Sequence, residues 1–179
     1  MKRIVAVFFI VLVGAAFGQA TPPSQSPAPE IKKLDFLVGT WKVAGEIKSS
    51  PGGKFSLLNR YARMKGHYFL VLHSSTTGAL GNATGTSYYG YKPEEKAYTY
   101  DAFNSLGQAE HAKGTVDGNT WVWLDTEDFL GQVVKGRYTV TVTSTTSYSF
   151  KFEIAPVGGG DYTTVAEGKG TKVQPKRRT

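Results

Sequence analysis

The chain has 179 residues, with 21 Lys and Arg against 14 Asp and Glu, and no cysteine. One domain is the natural count for that length, and the missing cysteine excludes disulfide staples and a lipid anchor on an N-terminal thiol. The basic excess sits at the two ends, on Lys2 and Arg3 and on Lys172, Lys176, Arg177 and Arg178. The body between is nearly neutral, and nucleic acid is not an expected partner.

Residues 1–20 read as a secretory signal peptide. Lys2 and Arg3 form its charged start, residues 4–13 its apolar run and residues 16–20 a small-residue cleavage region. The run is short of the ~20 residues that span a bilayer, and Pro22, Pro23, Pro27 and Pro29 follow at once. Cleavage after Ala20 or Gly18 is therefore expected, leaving no transmembrane segment and a secreted or periplasmic protein. Residues 21–32 form a Pro/Ser linker expected to be extended and mobile. A folded domain over 33–173 and a solvated basic tail over 174–179 complete the chain.

Leu34, Leu37 and Val38 fall at the spacing of one helical turn, which Gly39 breaks. Trp41, Val43, Gly45 and Ile47 then alternate with Lys42, Ala44, Glu46 and Lys48, as a half-buried strand does. A second strand over 54–64 carries Phe55, Leu57, Asn59, Tyr61 and Arg63 on one parity. Lys65-Gly66 turns into a third over 67–76, and the Gly, Asn and Thr-rich stretch 77–85 reads as a longer loop. Strands over 86–91 and 97–103 pair across a Pro93 turn. A strand over 107–115 leads to Asp117-Gly118, the strongest hairpin signal in the chain.

Beyond it, 120–126 alternates Trp121 and Trp123 against Val122 and Leu124. Three further strands cover 131–142, 147–155 and 161–172, with Pro156 and three glycines marking the last turn. Ten strands joined mostly by short turns predict an all-β fold, an up-and-down antiparallel barrel entered by a short helical turn. A two-sheet sandwich is the alternative, but it would leave the edges of so long a meander exposed.

Four segments in order carry a resemblance to a known family: 33–41 (ending Gly39-Thr40-Trp41), 89–96 (Tyr-Gly-Tyr-Lys-Pro-Glu-Glu-Lys), 113–121 and 147–153. Together they resemble a secreted bacterial family catalogued as a domain of unknown function, number fifteen seventy-nine in its series. The Gly-Thr-Trp start is similar more distantly to lipocalins, fatty-acid-binding proteins and nitrobindins. The resemblance implies a calycin-like, or lipocalin-like, barrel and no specific activity. Nitrobindins hold haem through a histidine late in the chain. No histidine follows His111 here, so another His or a Tyr would have to serve, and no cofactor is expected.

Tests for chemistry return little. His67 and His73 share a parity but lie about 20 Å apart along a strand, and no metal-ligand spacing joins the three histidines. No serine sits in a nucleophile elbow, and the three glycines 158–160 precede a strand and not a helix. Asp125, Glu127 and Asp128 read as exposed acids in a turn. No catalytic residue or metal site is assigned.

What remains is a lumen wide enough for a cavity, lined on the uncharged parity by Trp41, Tyr61, Tyr98, Tyr100, Trp121, Trp123 and Tyr138. Tyr148 and Tyr162 share that parity, as does Arg63, which would need a carboxylate if it points inward and otherwise snorkels to water from the strand end before Gly66. The expected partner is a small hydrophobic or amphipathic molecule held without catalysis. One alternative is a small isomerase or hydrolase using His73 or His111 in the cavity with Arg63 on an anionic substrate. Another is a filled barrel whose outer surface binds a partner.

Overall fold

The computed structural model describes residues 26–129 and 131–174; the expected signal peptide, residues 21–25 of the linker and residues 175–179 of the tail lie outside them. Ten strands follow in order: β1 (Gly39–Ile47), β2 (Gly53–Arg63), β3 (Leu70–Gly78), β4 (Ala83–Lys92), β5 (Ala97–Asn104), β6 (Ala109–Asp117), β7 (Thr120–Phe129), β8 (Gln132–Ser144), β9 (Ser147–Pro156) and β10 (Thr163–Lys172). Each pairs antiparallel with the next, and β1 pairs with β10, so the sheet closes on itself. Closure removes every edge, which is why a meander this long needs no covering helices. Among the described residues no helix is long and apolar enough to cross a membrane.

Alternation fixes which side of each strand faces in. On β1, Trp41 and Val43 are buried while Lys42 and Ala44 are exposed, and on β7 Trp121 and Trp123 are buried while Leu124 is exposed. A one-residue slip would turn each apolar set to solvent, so the pattern locks the register. Wide rings are admitted by glycines on neighbouring strands. Gly114 lies opposite Trp123, and a Cβ there would stand 2.6 Å from the indole.

The N-terminal element is a 3-10 helix, Pro29–Leu37, and it begins inside the stretch read as linker. Its buried residues are Ile31, Leu34 and Leu37, three apart. At three residues per turn these line up on one face, so Ile31 adds to the apolar side that the sequence shows only from Leu34 onward. Pro29 sets the first helical φ without losing a needed N–H. The helix closes the barrel end at which β1 starts and β10 finishes.

Three local expectations are corrected. β3 starts at Leu70, because residues 64–69 form a turn in which the Met64 N–H donates to the Phe69 carbonyl (3.0 Å). The loop expected over 77–85 shrinks to 79–82, since ladder pairing carries the Thr- and Gly-rich strand ends past their weak intrinsic preference. In β10 a bulge between Thr164 and Ala166 shifts the parity. Tyr162 therefore stands outside the barrel, with the Arg137 guanidinium 3.9 Å above its ring.

Candidate functional site

The closed end is a tied joint. Trp41, fully buried, donates its Nε1–H to the Leu37 carbonyl (2.7 Å) and lies 5.0 Å from the Tyr148 ring. Tyr98 donates its hydroxyl to the Glu30 carbonyl (3.0 Å), and Lys172 Nζ reaches the Phe36 carbonyl (2.9 Å). Arg63 donates Nε–H to Asp35 Oδ1 (2.7 Å), pairs with the same oxygen through Nη2, and caps the Ile31 and His67 carbonyls (3.2 Å each). The carboxylate that an inward arginine requires is thus supplied by the plug helix itself. Trp41, Arg63 and Tyr98 hold the plug and do not line the cavity.

Above the plug the lumen contains a cavity of about 340 Å³. Leu34, Phe36 and Leu37 form its floor with Trp121, whose ring centroid is 5.9 Å from that of Phe36. The wall is aromatic: Tyr89 sits 4.9 Å from Tyr100 and 5.5 Å from Trp123, and Trp121 stacks on Trp123 at 6.2 Å. Tyr61 and Tyr138 complete it. Burial pushes the hydroxyls of Tyr61, Tyr89, Tyr100 and Tyr138 well above the usual phenol range, and that of Tyr148 up to about 12. At physiological pH all are neutral groups able to donate a hydrogen bond.

Toward the open end the lining changes. Glu110 on β6 and Asp125 and Glu127 on β7 face inward. Asp125 Oδ1 and Glu127 Oε1 are buried without a hydrogen-bond partner. Burial, reinforced by Asp125 and Glu110, pushes the Glu127 carboxyl up to about 7. Burial also raises Asp125, against a smaller lowering by the backbone N–H groups of Gly136 and Asp125, and Glu110, though exposed at the mouth, is raised by the surrounding walls and by Asp125. Gly136, paired with Asp125 across β7 and β8, makes room for them, because a Cβ there would collide with the Asp125 carboxylate and stand 3.0 Å from Glu127 Oε1. Among the described residues no Lys, Arg or His lines the lumen, and no His/Asp/Glu cluster is placed to hold a metal ion.

Of the residues singled out from sequence, Tyr61, Tyr100, Trp121, Trp123 and Tyr138 come together around the cavity. His73 and His111 do not. Their neighbours Leu72, Ser74, Glu110 and Ala112 take the inward parity, so both imidazoles lie on the outer surface. His73 Nδ1 there meets Thr86 Oγ1 (3.2 Å), and His111 Nδ1 meets Asp101 Oδ1 (2.6 Å).

The reading of Asp125 and Glu127 as exposed turn acids is overturned, since β7 continues to Phe129 and keeps both on the parity of Trp121 and Trp123. Counting by two from Trp123 would have found them. Asn59, Ser87 and Tyr89 also line the lumen, and strand parity was their only signal.

No family model matches the chain, and no curated protein matches it. Solved structures do. Rv2717c from M. tuberculosis aligns at a TM-score of 0.58 and 13% identity, over 83% of this chain and 99% of that one. What the two share is the fold, which in this chain is a closed ten-stranded up-and-down barrel. An S-type phycobiliprotein lyase, CPES from Guillardia theta, aligns at a TM-score of 0.56 and 9% identity, over 81% and 93% of the two chains. At these identities the likeness shows the fold alone.

Proposed function

We propose that this calycin-like barrel is an exported protein that binds a small, partly apolar molecule in its lumen without catalysis. The observation that carries this reading is the aromatic-walled cavity of about 340 Å³, plugged at one end and reached from the other. That volume is in the range of small-molecule sites, as is an apolar wall carrying a few polar groups. The enzyme alternative lacks its residues, because His73 and His111 stand outside and Arg63 is committed to Asp35. No cofactor is proposed.

Export rests on the composition of residues 1–20, and membership of the secreted family of unknown function on the four sequence segments. The test is native mass spectrometry of the protein purified from its source, followed by organic extraction. A stoichiometric bound molecule, on a chain starting at Thr21 or Gln19, is the expected result. A bare mass, with no thermal shift across a panel of small apolar molecules, would overturn the binding reading. An uncleaved chain retained in the cytoplasm would overturn export.

A further inference from the structure

Every unpartnered buried polar atom found in the lumen is an acceptor. Besides Asp125 Oδ1 and Glu127 Oε1 there is Oδ1 of Asn59, a residue only 7% exposed. Asn59 stands on β2, which lies directly across the ten-stranded ring from β7. Its Nδ2 makes a long contact to Tyr61 Oη (3.5 Å), and its carbonyl oxygen has none. Two opposite walls therefore present acceptors to the same space, and none of the tyrosine or serine hydroxyls that line it is placed to donate to them.

Ionised carboxylates can only accept, and leaving buried acceptors unpaired costs free energy that a donor restores. A carboxylate or phosphate ligand would face three acids and no cation. A neutral apolar ligand would leave Asp125 and Glu127 unpaired. A compact metal ion does not fit either, since the acids are not spaced as ligands for one. The aromatic wall below them completes the requirement, because the faces of Trp and Tyr attract cations as well as apolar groups.

Granting that the lumen is a binding site, we propose that its ligand is an organic cation. Its protonated amine is held at the mouth by Asp125 and Glu127 with Glu110, its apolar body lies against Trp123, Tyr100 and Tyr89, and Asn59 accepts any second donor. Binding should then depend on pH. The titratable groups facing Glu127 in the lumen are Asp125 on its own strand, Glu110 on β6, Tyr100 on β5 and Tyr138 on β8. Lys113 points outward to Glu95 (2.7 Å), and Lys135 is exposed beside Thr126. A ligand amine competes with the proton on Glu127, so its affinity falls as pH drops through about 7.

The experiment is calorimetric titration of the full chain, stripped of bound molecules, with naphthylmethylamine, naphthylmethanol and naphthoic acid. These share one apolar body and differ in charge. The amine is expected to bind tightest, by about tenfold over the alcohol, and to weaken between about pH 8 and about pH 5.5 while the alcohol does not. In a double variant, Asp125→Asn with Glu127→Gln, the gap between amine and alcohol should close. Equal or tighter binding of the alcohol or the acid overturns the cation proposal and leaves the lumen reading standing. Binding of none of the three overturns both. If the double variant does not fold, the pH dependence of the unaltered protein decides.

Discussion

At the plugged end of the barrel, the polar side chains that reach the helix each meet a partner: Trp41 on Leu37, Tyr98 on Glu30, Arg63 on Asp35 and Ile31, Lys172 on Phe36. At the mouth, Asp125 and Glu127 each carry a buried oxygen that no side chain donates to, and only the backbone around Gly136 eases the charge on Asp125. The same sheet supplies both ends, so the difference lies in the side chains and not in the backbone. Satisfied groups make the plug a source of stability. The unsatisfied ones are a cost to the folded chain, of the sort that functional sites retain.

Breaking the plug should cost most. Trp41→Ala removes a fully buried ring, its bond to Leu37 and its packing on Tyr148. A loss of about 3–5 kcal/mol is expected in urea unfolding; a loss below about 1 kcal/mol would show that the plug is not where stability resides. Arg63→Met should cost less, about 1–2 kcal/mol, because its partner Asp35 is half exposed to water. Faster hydrogen exchange confined to Pro29–Leu37 and its contacts would mark that loss as local.

The mouth should respond with the opposite sign. Glu127 has its carboxyl raised to about 7 from an ordinary 4.5, so between these values the folded state holds more protons than the unfolded one. Its ionisation therefore destabilises the empty barrel progressively as pH rises from 4.5 to about 7, and fully above. Glu127→Gln should unfold at a higher temperature than the parent near about pH 8, with the difference vanishing near about pH 4.5. A variant less stable at the higher pH would mean that Glu127 has a partner. Smallest of all, His73→Ala and His111→Ala should each change stability by less than about 0.5 kcal/mol and leave binding intact. Both side chains are on the outer surface, and any marked effect in titration calorimetry would reopen a role for them.

The barrel was legible because alternation is a strong local signal. Trp41 and Val43 against Lys42, and Trp121 and Trp123 against Leu124, assign faces without any tertiary information. The aromatic wall followed directly from that parity. Its acidic rim did not. Carboxylates are poor strand formers and ordinarily lie at the surface, so the local pattern stops reading as strand at 126. What carries it on is the turn beyond, where Asp128 Oδ1 accepts the Gly131 N–H (2.8 Å) and Glu127 pairs with Val134. Arg63 was legible in part, since its need for a carboxylate and its place near the strand end are in the sequence and the identity of the partner is not. Its parity points inward, but Asp35, distant in sequence, captures it at the barrel end. Tyr162 was lost to a bulge, which no alternation rule anticipates.

The central claim, that the lumen is where this protein binds, is tested most directly by filling it. Ala112 is buried on the lumen wall between β5 and β7, and Ala112→Phe places a ring in the cavity at a folding cost of about 1–3 kcal/mol. The measurement is native mass spectrometry of parent and variant purified side by side, with circular dichroism to confirm the barrel. A folded variant that has lost the molecule carried by the parent is the predicted result. A folded variant that retains it stoichiometrically would contradict the account and move the binding site to the outer surface.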